Sequence, residues 1–274
     1  MPVTGHPIRR WLALFVAGAV VAYAASTLPA QRAQGPRTSD KRPDLNGIWQ
    51  AIGTAHWDLE AHPAQPSPIL ELGAIGGVPA GLSVVNGGTI PYQSWAAAKK
   101  KENFANRLRD DPEIKCFLPG VPRAMYLPYP FQIVQTPETV LMAFDYDVAT
   151  RIVPIGGKPP DMPVDTWMGY STGRWEGDTL VIETKGFNDS TWFDRAGNFH
   201  SDQLVVLERL SPLTADAITY EATMTDPKVF TRPWTISMPL YRRLDKGVQL
   251  LDYNCVELTE EYRYSSLLKA FGTK

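Results

Sequence analysis

Cysteine, histidine and concentrated charge are scarce in this chain. Its 274 residues hold two Cys and four His, against 24 Pro, 21 Gly and eight Trp. Two thiols as far apart as Cys116 and Cys255 do not suggest a zinc site, which takes closely spaced ligands. No basic run exceeds Lys99–Lys101, and the net charge is −2. That removes the electrostatic footprint of a nucleic-acid binder and of a protein held on anionic lipid. Four familiar motifs are also missing: G-x-x-x-x-G-K, G-x-G-x-x-G between strand and helix, G-x-S-x-G, and H-E-x-x-H. Nucleotide cofactors and common hydrolase scaffolds lose their support with them. No cofactor and no metal is expected, and no repeat of 20–50 residues is visible.

Long apolar runs are confined to one place. Arg9 and Arg10 precede "WLALFVAGAVVAYAA", Trp11 to Ala25, and then "STLPAQRAQ". A basic start, a short apolar stretch and small residues describe a secretory signal peptide over residues 1–30. The stretch is short of the roughly 20 residues a membrane span needs; an uncleaved N-terminal membrane anchor is the alternative. Loss of this segment leaves 25 basic against 29 acidic residues, a net charge of −4. Residues 31–44 are polar and unpatterned, so a disordered tether is expected there, followed by a single domain over 45–274. In an exported chain, periplasmic or secreted, an even cysteine count points to a Cys116–Cys255 disulfide. A loop of that size would stabilise the fold by roughly 4–5 kcal/mol. Two buried free thiols are the competing reading.

The rest of the chain reads mainly as strands. "LNGIWQA" opens the ordered structure, and the Pro- and Gly-rich 61–91 predicts a long surface coil. "SWAAAKKKENFANRL" predicts a helix over Ser94–Leu108 with Ser94 as N-cap and a thin apolar face of Trp95, Phe104 and Leu108. A weaker helix is expected in "LTEEYRYSSLLKAF", 258–271. "FQIVQTPETVLMAFDY" gives two strands joined at Pro137, and "TRIVPIGGKPP" one more. "TGRWEGDTLVIETKGF" is a hairpin turning at Glu176-Gly177-Asp178, and "QLVVLERLSPLTADAITYEATMTD" another, turning over Pro212–Asp216. "FTRPWTISMPLYRRL" and "VQLLDYNCVEL" complete seven or eight strands with no helices between them. The fold class is therefore all-β: an antiparallel meander forming a calycin-like barrel or an open sandwich, decorated by one or two helices. Gly47-x-Trp49 on the first strand resembles the G-x-W signature of lipocalins and other calycins, in which the Trp closes one barrel end. An ordinary core Trp would give the same three residues.

Three longer stretches carry a second resemblance. "AHWDLEAHPA", "IPYQSWAAAKKKENFANRLRDDPEIKCFLPGVPRAMYLPYPFQIVQ" and "GRWEGDTLVIETKGFNDSTWFDRAGNFHSDQL" resemble a large family of secreted bacterial proteins of unassigned function. The likeness runs from about Leu45 to "YNCVE". It implies export and a common scaffold, and it brings no reaction with it.

Chemistry-bearing side chains concentrate in "FNDSTWFDRAGNFHS", Phe187 to Ser201. It joins two strands, where a hairpin needs two to five residues, and long loops on a rigid sheet are where functional groups gather. His200 would be the acid or base, with Asp194 or Asp189 as its partner. Asn188 and Ser201 would donate to a developing oxyanion, Trp192 would form an apolar wall, and Arg174 would position substrate. The plain alternative is a turn-rich loop whose Asp, Asn and Gly shape the backbone and whose His is a peg.

Three further clusters carry less. "HWDLEAH" alternates His56, Asp58, Glu60 and His62, a metal-ligand row if it is a strand, or a source of His62 for the His200 site. Asp161 and Asp165 with Arg174 form a carboxylate pair and clamp, or only a surface ion pair. As a carboxylate pair on a barrel they would suit glycoside hydrolysis, but their separation is not fixed by the sequence. "AMYLPYPF" lines a pocket or packs on the core. Three functions remain open: acid–base catalysis on a small, partly apolar substrate, non-catalytic binding of an apolar ligand, and a surface scaffold whose loops meet another protein.

Overall fold

The computed structural model describes residues 1–2, 35–67, 73–74, 76–158, 163–251 and 253–256. Most of the expected signal segment, Asp161 and the helix expected over 258–271 lie outside them. Nine strands form one sheet: β1 (Gly47–Ala51), β2 (Phe131–Gln135), β3 (Thr139–Phe144), β4 (Thr150–Pro154), β5 (Tyr170–Glu176), β6 (Thr179–Lys185), β7 (Val205–Thr214), β8 (Ala217–Thr225) and β9 (Trp234–Arg242). Their order is β4-β3-β2-β1-β9-β8-β7-β6-β5, every ladder antiparallel. The two end strands approach each other, so the meander is nearly closed into a barrel.

The incomplete closure has a simple origin. An odd number of up-and-down strands brings its two edges together parallel, and parallel neighbours need a long return connection. Residues 155–169 make that return, and β4 and β5 meet at a parallel bridge, Ile155 with Gly173. A Cβ on Gly173 would stand 2.7 Å from Ile155 Cδ1 and 2.9 Å from Val153 Cγ1, so the approach requires glycine.

Alternation decides what fills the barrel. Val140, Met142, Leu180, Ile182, Val206, Leu210, Tyr220, Ala222, Met224, Ile236 and Leu240 have no accessible surface, so the interior is a packed core. One ion pair is buried in it. Arg151 of β4 meets Glu208 of β7 through both guanidinium amines, and donates to Ser171 Oγ at 2.8 Å on β5 and Thr184 Oγ1 at 2.7 Å on β6. Tyr220 Oη donates to Glu208 at 2.8 Å. Arg151 thus links β4, β5, β6 and β7 behind the seam that backbone hydrogen bonds leave largely open.

The barrel has two unlike ends. The turns β2–β3, β5–β6 and β7–β8 crowd one of them, the turn end. There Trp49 Nε1 donates to Leu45 O at 2.8 Å while the Arg242 guanidinium lies 4.3 Å over the indole. Gly47, at φ +130°, leaves room for Arg242: a Cβ would stand 2.6 Å from Nη1. The long connections 52–130, 186–204 and 226–233, with the short 145–149, gather at the loop end.

Four expectations change. Residues 35–44 are not a free tether: Arg37 pairs with Asp178 at 2.8 Å, and Arg42 lies over the Trp175 ring at 5.7 Å. α1 (Ser94–Ala105) has Gln93 as N-cap and no side-chain cap bond, and it buries Ala96 and Asn103 while Trp95 and Phe104 face solvent. Asn103 wins that position by donating to Gly197 O at 3.2 Å. α2 (Arg107–Asp110) follows it. "VQLLDYNCVEL" adds no strand among the described residues, because β9 already has both neighbours; it contributes one bridge, Tyr253 with Tyr146. The β7–β8 turn tightens to Ala215-Asp216, with an irregularity between Pro212 and Thr214. The Cys116–Cys255 disulfide is present, Cα atoms 5.5 Å apart.

Removing one partner of the buried pair leaves the other charge without compensation. Arg151→Met should lower unfolding free energy by about 3–5 kcal/mol. The double variant Arg151→Met/Glu208→Leu should lose less than either single change. Urea unfolding of the three variants reads this directly, and additive losses would contradict it.

Candidate functional site

The segment Phe187–Ser201 plugs the loop end. Trp192 bridges to Phe199, and Phe193 N donates to Asn198 O at 2.6 Å, making a small hairpin around Asp194–Gly197. Gly197 has φ +81°, and a Cβ there would stand 2.7 Å from Asn103 Cβ of α1. Phe193 packs edge-on against Trp234 at 5.5 Å and near Phe230 at 6.3 Å. Tyr126 Oη donates to Phe193 O at 2.8 Å. The expected packing role of "AMYLPYPF" is seen in Ala124–Leu127, all buried.

His200 is a peg in this plug. Its ring lies between Phe187 and Phe193, 5.8 and 5.3 Å away. A carbonyl only accepts, so Nδ1–H donates to Ser201 O at 2.9 Å, and Nε2 accepts from the Thr191 hydroxyl at 2.7 Å. Burial lowers its pKa. Both nitrogens are committed and the residue is 3% exposed.

Asp194 does not meet His200. It is fully buried and accepts from Leu59 N, Ala196 N, Asn198 N and Asn198 Nδ2 at 2.6–3.2 Å. Burial, then the neighbouring Asp58, push its carboxyl up to about 7 against the pull of those donors. It knots the plug to the 56–59 turn. Ser201 is tied in the same way to buried Asp226, through N at 2.7 Å and Oγ at 2.9 Å.

The other expected residues scatter. Asp189 is exposed, and Asn188 accepts from Ser190 N at 3.2 Å in an Asx turn. Trp192 is buried at 8% exposure. Arg174 pairs with Glu176 at 2.7 Å on the outer surface of β5, away from Asp165, and so clamps nothing.

"HWDLEAH" is a turn and not a strand, so the metal-ligand row does not form. Its side chains diverge, Asp58 toward Asn198 Nδ2 at 3.3 Å and Glu60 toward Ile90 N at 2.8 Å. His62 donates through Nδ1 to Glu60 O at 2.9 Å, pairs by its backbone with Gly81, and does not join His200.

What converges at the loop end is a different group. Arg195, midway along the plug, donates to Glu113 at 2.5 and 2.8 Å. Arg123 donates to the same carboxylate at 2.6 Å and to Asp111 at 3.0 Å. Arg195 lies 4.4 Å over Trp57, and its backbone N donates to His56 O at 3.0 Å. Tyr129, Tyr146 and Tyr253 stand alongside, with Tyr129 and Tyr253 stacked at 4.9 Å and Tyr146 Oη donating to Glu113 O at 3.1 Å. Burial alone would raise the Glu113 pKa, yet Arg195 and Arg123 hold it at about 2. Burial and Arg195 lower His56 to about 4, and its Nδ1 is buried without a partner. Arg195 keeps 26% of its side chain exposed and opens the group to solvent.

These contacts join residues near positions 56, 112, 123, 195 and 253, which no local pattern relates. The available signal was the position of Arg195 between the knotting Asp194 and the turn glycine Gly197.

His200→Ala should destabilise by about 2–4 kcal/mol, since it leaves a void and strands Thr191 Oγ1 and Ser201 O. Asp189→Ala and Arg174→Ala should stay within about 0.5 kcal/mol. Thermal or urea unfolding ranks the three.

A pH test isolates His56. The folded protein resists protonating it, so His56 withdraws stability as pH falls from about 6.5 to about 4, by up to about 3 kcal/mol. Asp194, with its raised pKa, acts in the opposite sense over an overlapping range. The informative quantity is therefore the difference: His56→Gln should gain on the parent steadily across that window, and parallel curves would contradict it.

Comparison with protein-family models, with curated proteins and with solved structures finds no match to this chain.

Proposed function

We propose that this is an exported protein, periplasmic or secreted, that binds a small, partly apolar ligand carrying an anionic or acceptor group at the loop end of its barrel. The observation that carries the reading is the partly exposed Arg195 side chain, stacked on Trp57, fixed by Glu113 and flanked by the Tyr129–Tyr253 pair. Such a cation on an aromatic face favours flat anions, because the guanidinium offers planar donors and the rings offer apolar area. The packed barrel interior supports a site on the end and not inside, unlike a hollow calycin. The disulfide suits an oxidising compartment.

Acid–base catalysis is the second reading, and one observation favours it: the partnerless Nδ1 of His56, neutral near pH 7, lies next to ionised Glu113. His200 and Asp194 are the less suitable pair, since each is consumed by structural hydrogen bonds.

Calorimetric titration with a panel of aromatic carboxylates should find saturable binding, weakened at least about tenfold, or 1.4 kcal/mol, by Arg195→Leu and partly restored by Arg195→Lys. Arg174→Leu should leave binding unchanged. Binding indifferent to Arg195, or none across the panel, would count against the proposal. Turnover of a bound compound that His56→Gln abolishes without loss of affinity would favour the catalytic reading.

A further inference from the structure

We propose that residues Arg243–Leu251 and Tyr253–Val256 form a strap, fastened over the Glu113–Arg195 group by the Cys116–Cys255 disulfide, and that a dithiol reductant releases it. The proposal takes this group as the binding site, but its test uses no ligand and so stands or falls separately.

The path of the chain comes first. β9 finishes at the turn end, where Arg242 N donates to Asp216 O at 2.9 Å in the β7–β8 turn. Tyr253 is at the opposite end, bridged to Tyr146 beside the β3–β4 turn, with Asp147 N donating to Tyr253 O at 3.1 Å. The intervening residues therefore run the height of the barrel without being a strand of it.

Little holds them on the way. Arg243 N donates to Ile48 O at 2.8 Å and Arg243 Nη1 to Gln50 Oε1 at 3.1 Å. Beyond that, Arg243–Asp245 and Val248 N to Asp245 O are local contacts. Leu244, Leu251 and Val256 are 69%, 71% and 68% exposed, and Val248 and Leu250 are only partly buried, so apolar burial contributes little.

The fastening is at the far end. Tyr253 stacks on Tyr129 at 4.9 Å and packs on Tyr146 at 5.8 Å. Cys255 is bonded to Cys116, and its Sγ lies 3.8 Å from Glu113 O. The disulfide and one aromatic ring thus set the strap directly on the residue that holds Arg195.

Release is ordinary thiol–disulfide exchange. One thiolate of the reductant attacks a cysteine sulfur, the Cys116–Cys255 bond breaks, and the displaced cysteine leaves as a thiolate. The reductant's second thiol then frees the remaining cysteine. The protein ends with two thiols, having gained two electrons and two protons, and the reductant ends as a disulfide. Without the covalent tie, Tyr253 departs and uncovers Tyr129 and Glu113.

Hydrogen exchange of the full chain with and without dithiothreitol, and tyrosine nitration of thiol-free variants, test this. Reduction should speed amide exchange in 244–256 about tenfold or more while β8 and β9 keep their protection. Nitration of Tyr129 by tetranitromethane, run without reductant, should rise several-fold in Cys116→Ser/Cys255→Ser, and also in Tyr253→Ala with the disulfide intact. Cys255→Ser should match the reduced protein in exchange; if that variant fails to fold, the reduced parent supplies the same reading. Unchanged exchange in 244–256 would overturn the proposal. So would loss of protection across the barrel in step with that segment, because the disulfide would then be a staple of the whole fold.

Discussion

The Arg151–Glu208 pair stands where the sheet cannot complete itself. Nine up-and-down strands bring β4 and β5 together parallel, and among the described residues only the contact around Gly173 joins them by backbone. Side chains supply the rest: one guanidinium reaches β5, β6 and β7 from β4, and Tyr220 of β8 completes the ring of donors. A buried ion pair brings little net stability compared with apolar packing of the same volume. Its contribution here is geometric, since the two edges are held at one distance and one register. The interior around the pair is packed with buried side chains.

The two ends divide the work. At the turn end Leu45, Trp49, Arg242 and residues 35–44 close the barrel tightly. At the loop end three buried carboxylates, Asp111, Asp194 and Asp226, each gather backbone or side-chain donors from separate loops and fix them. That scaffold sets the geometry of Glu113, which buried Arg123 and Asp111 hold and which in turn fixes Arg195. The strap adds the one wall of the group whose attachment is covalent and therefore reversible by chemistry.

Strand positions were legible in the sequence because the signals are local: β7 and β8 follow the alternation of "LVVLERL" and "AITYEATM", the other strands are β-rich runs, and short turns mark the β2–β3, β5–β6 and β7–β8 junctions. The disulfide was legible from cysteine count and export signals. The site was not. His200 and Asp194 have the residue types of an acid–base pair, but their roles depend on burial and on partners far away in sequence, Leu59 and Thr191 among them. Exposure separates a peg from a proton shuttle, and a loop's composition does not report exposure. Arg195 carries no local signal, because a lone arginine in a loop is usually solvated; the return of Glu113 and Trp57 makes it distinctive.

The claim that matters most is that the plug Phe187–Ser201 is structural at His200 and functional at Arg195. Long-range proton–nitrogen spectra of the His200 imidazole address it most directly. The structure predicts a ring with the proton on Nδ1, slow exchange with water and a titration point lowered from the ordinary histidine value, as burial and the two committed nitrogens require. A His200 that titrates near its ordinary value, or carries its proton on Nε2 in fast exchange with solvent, would contradict it and return His200 to the role of acid or base.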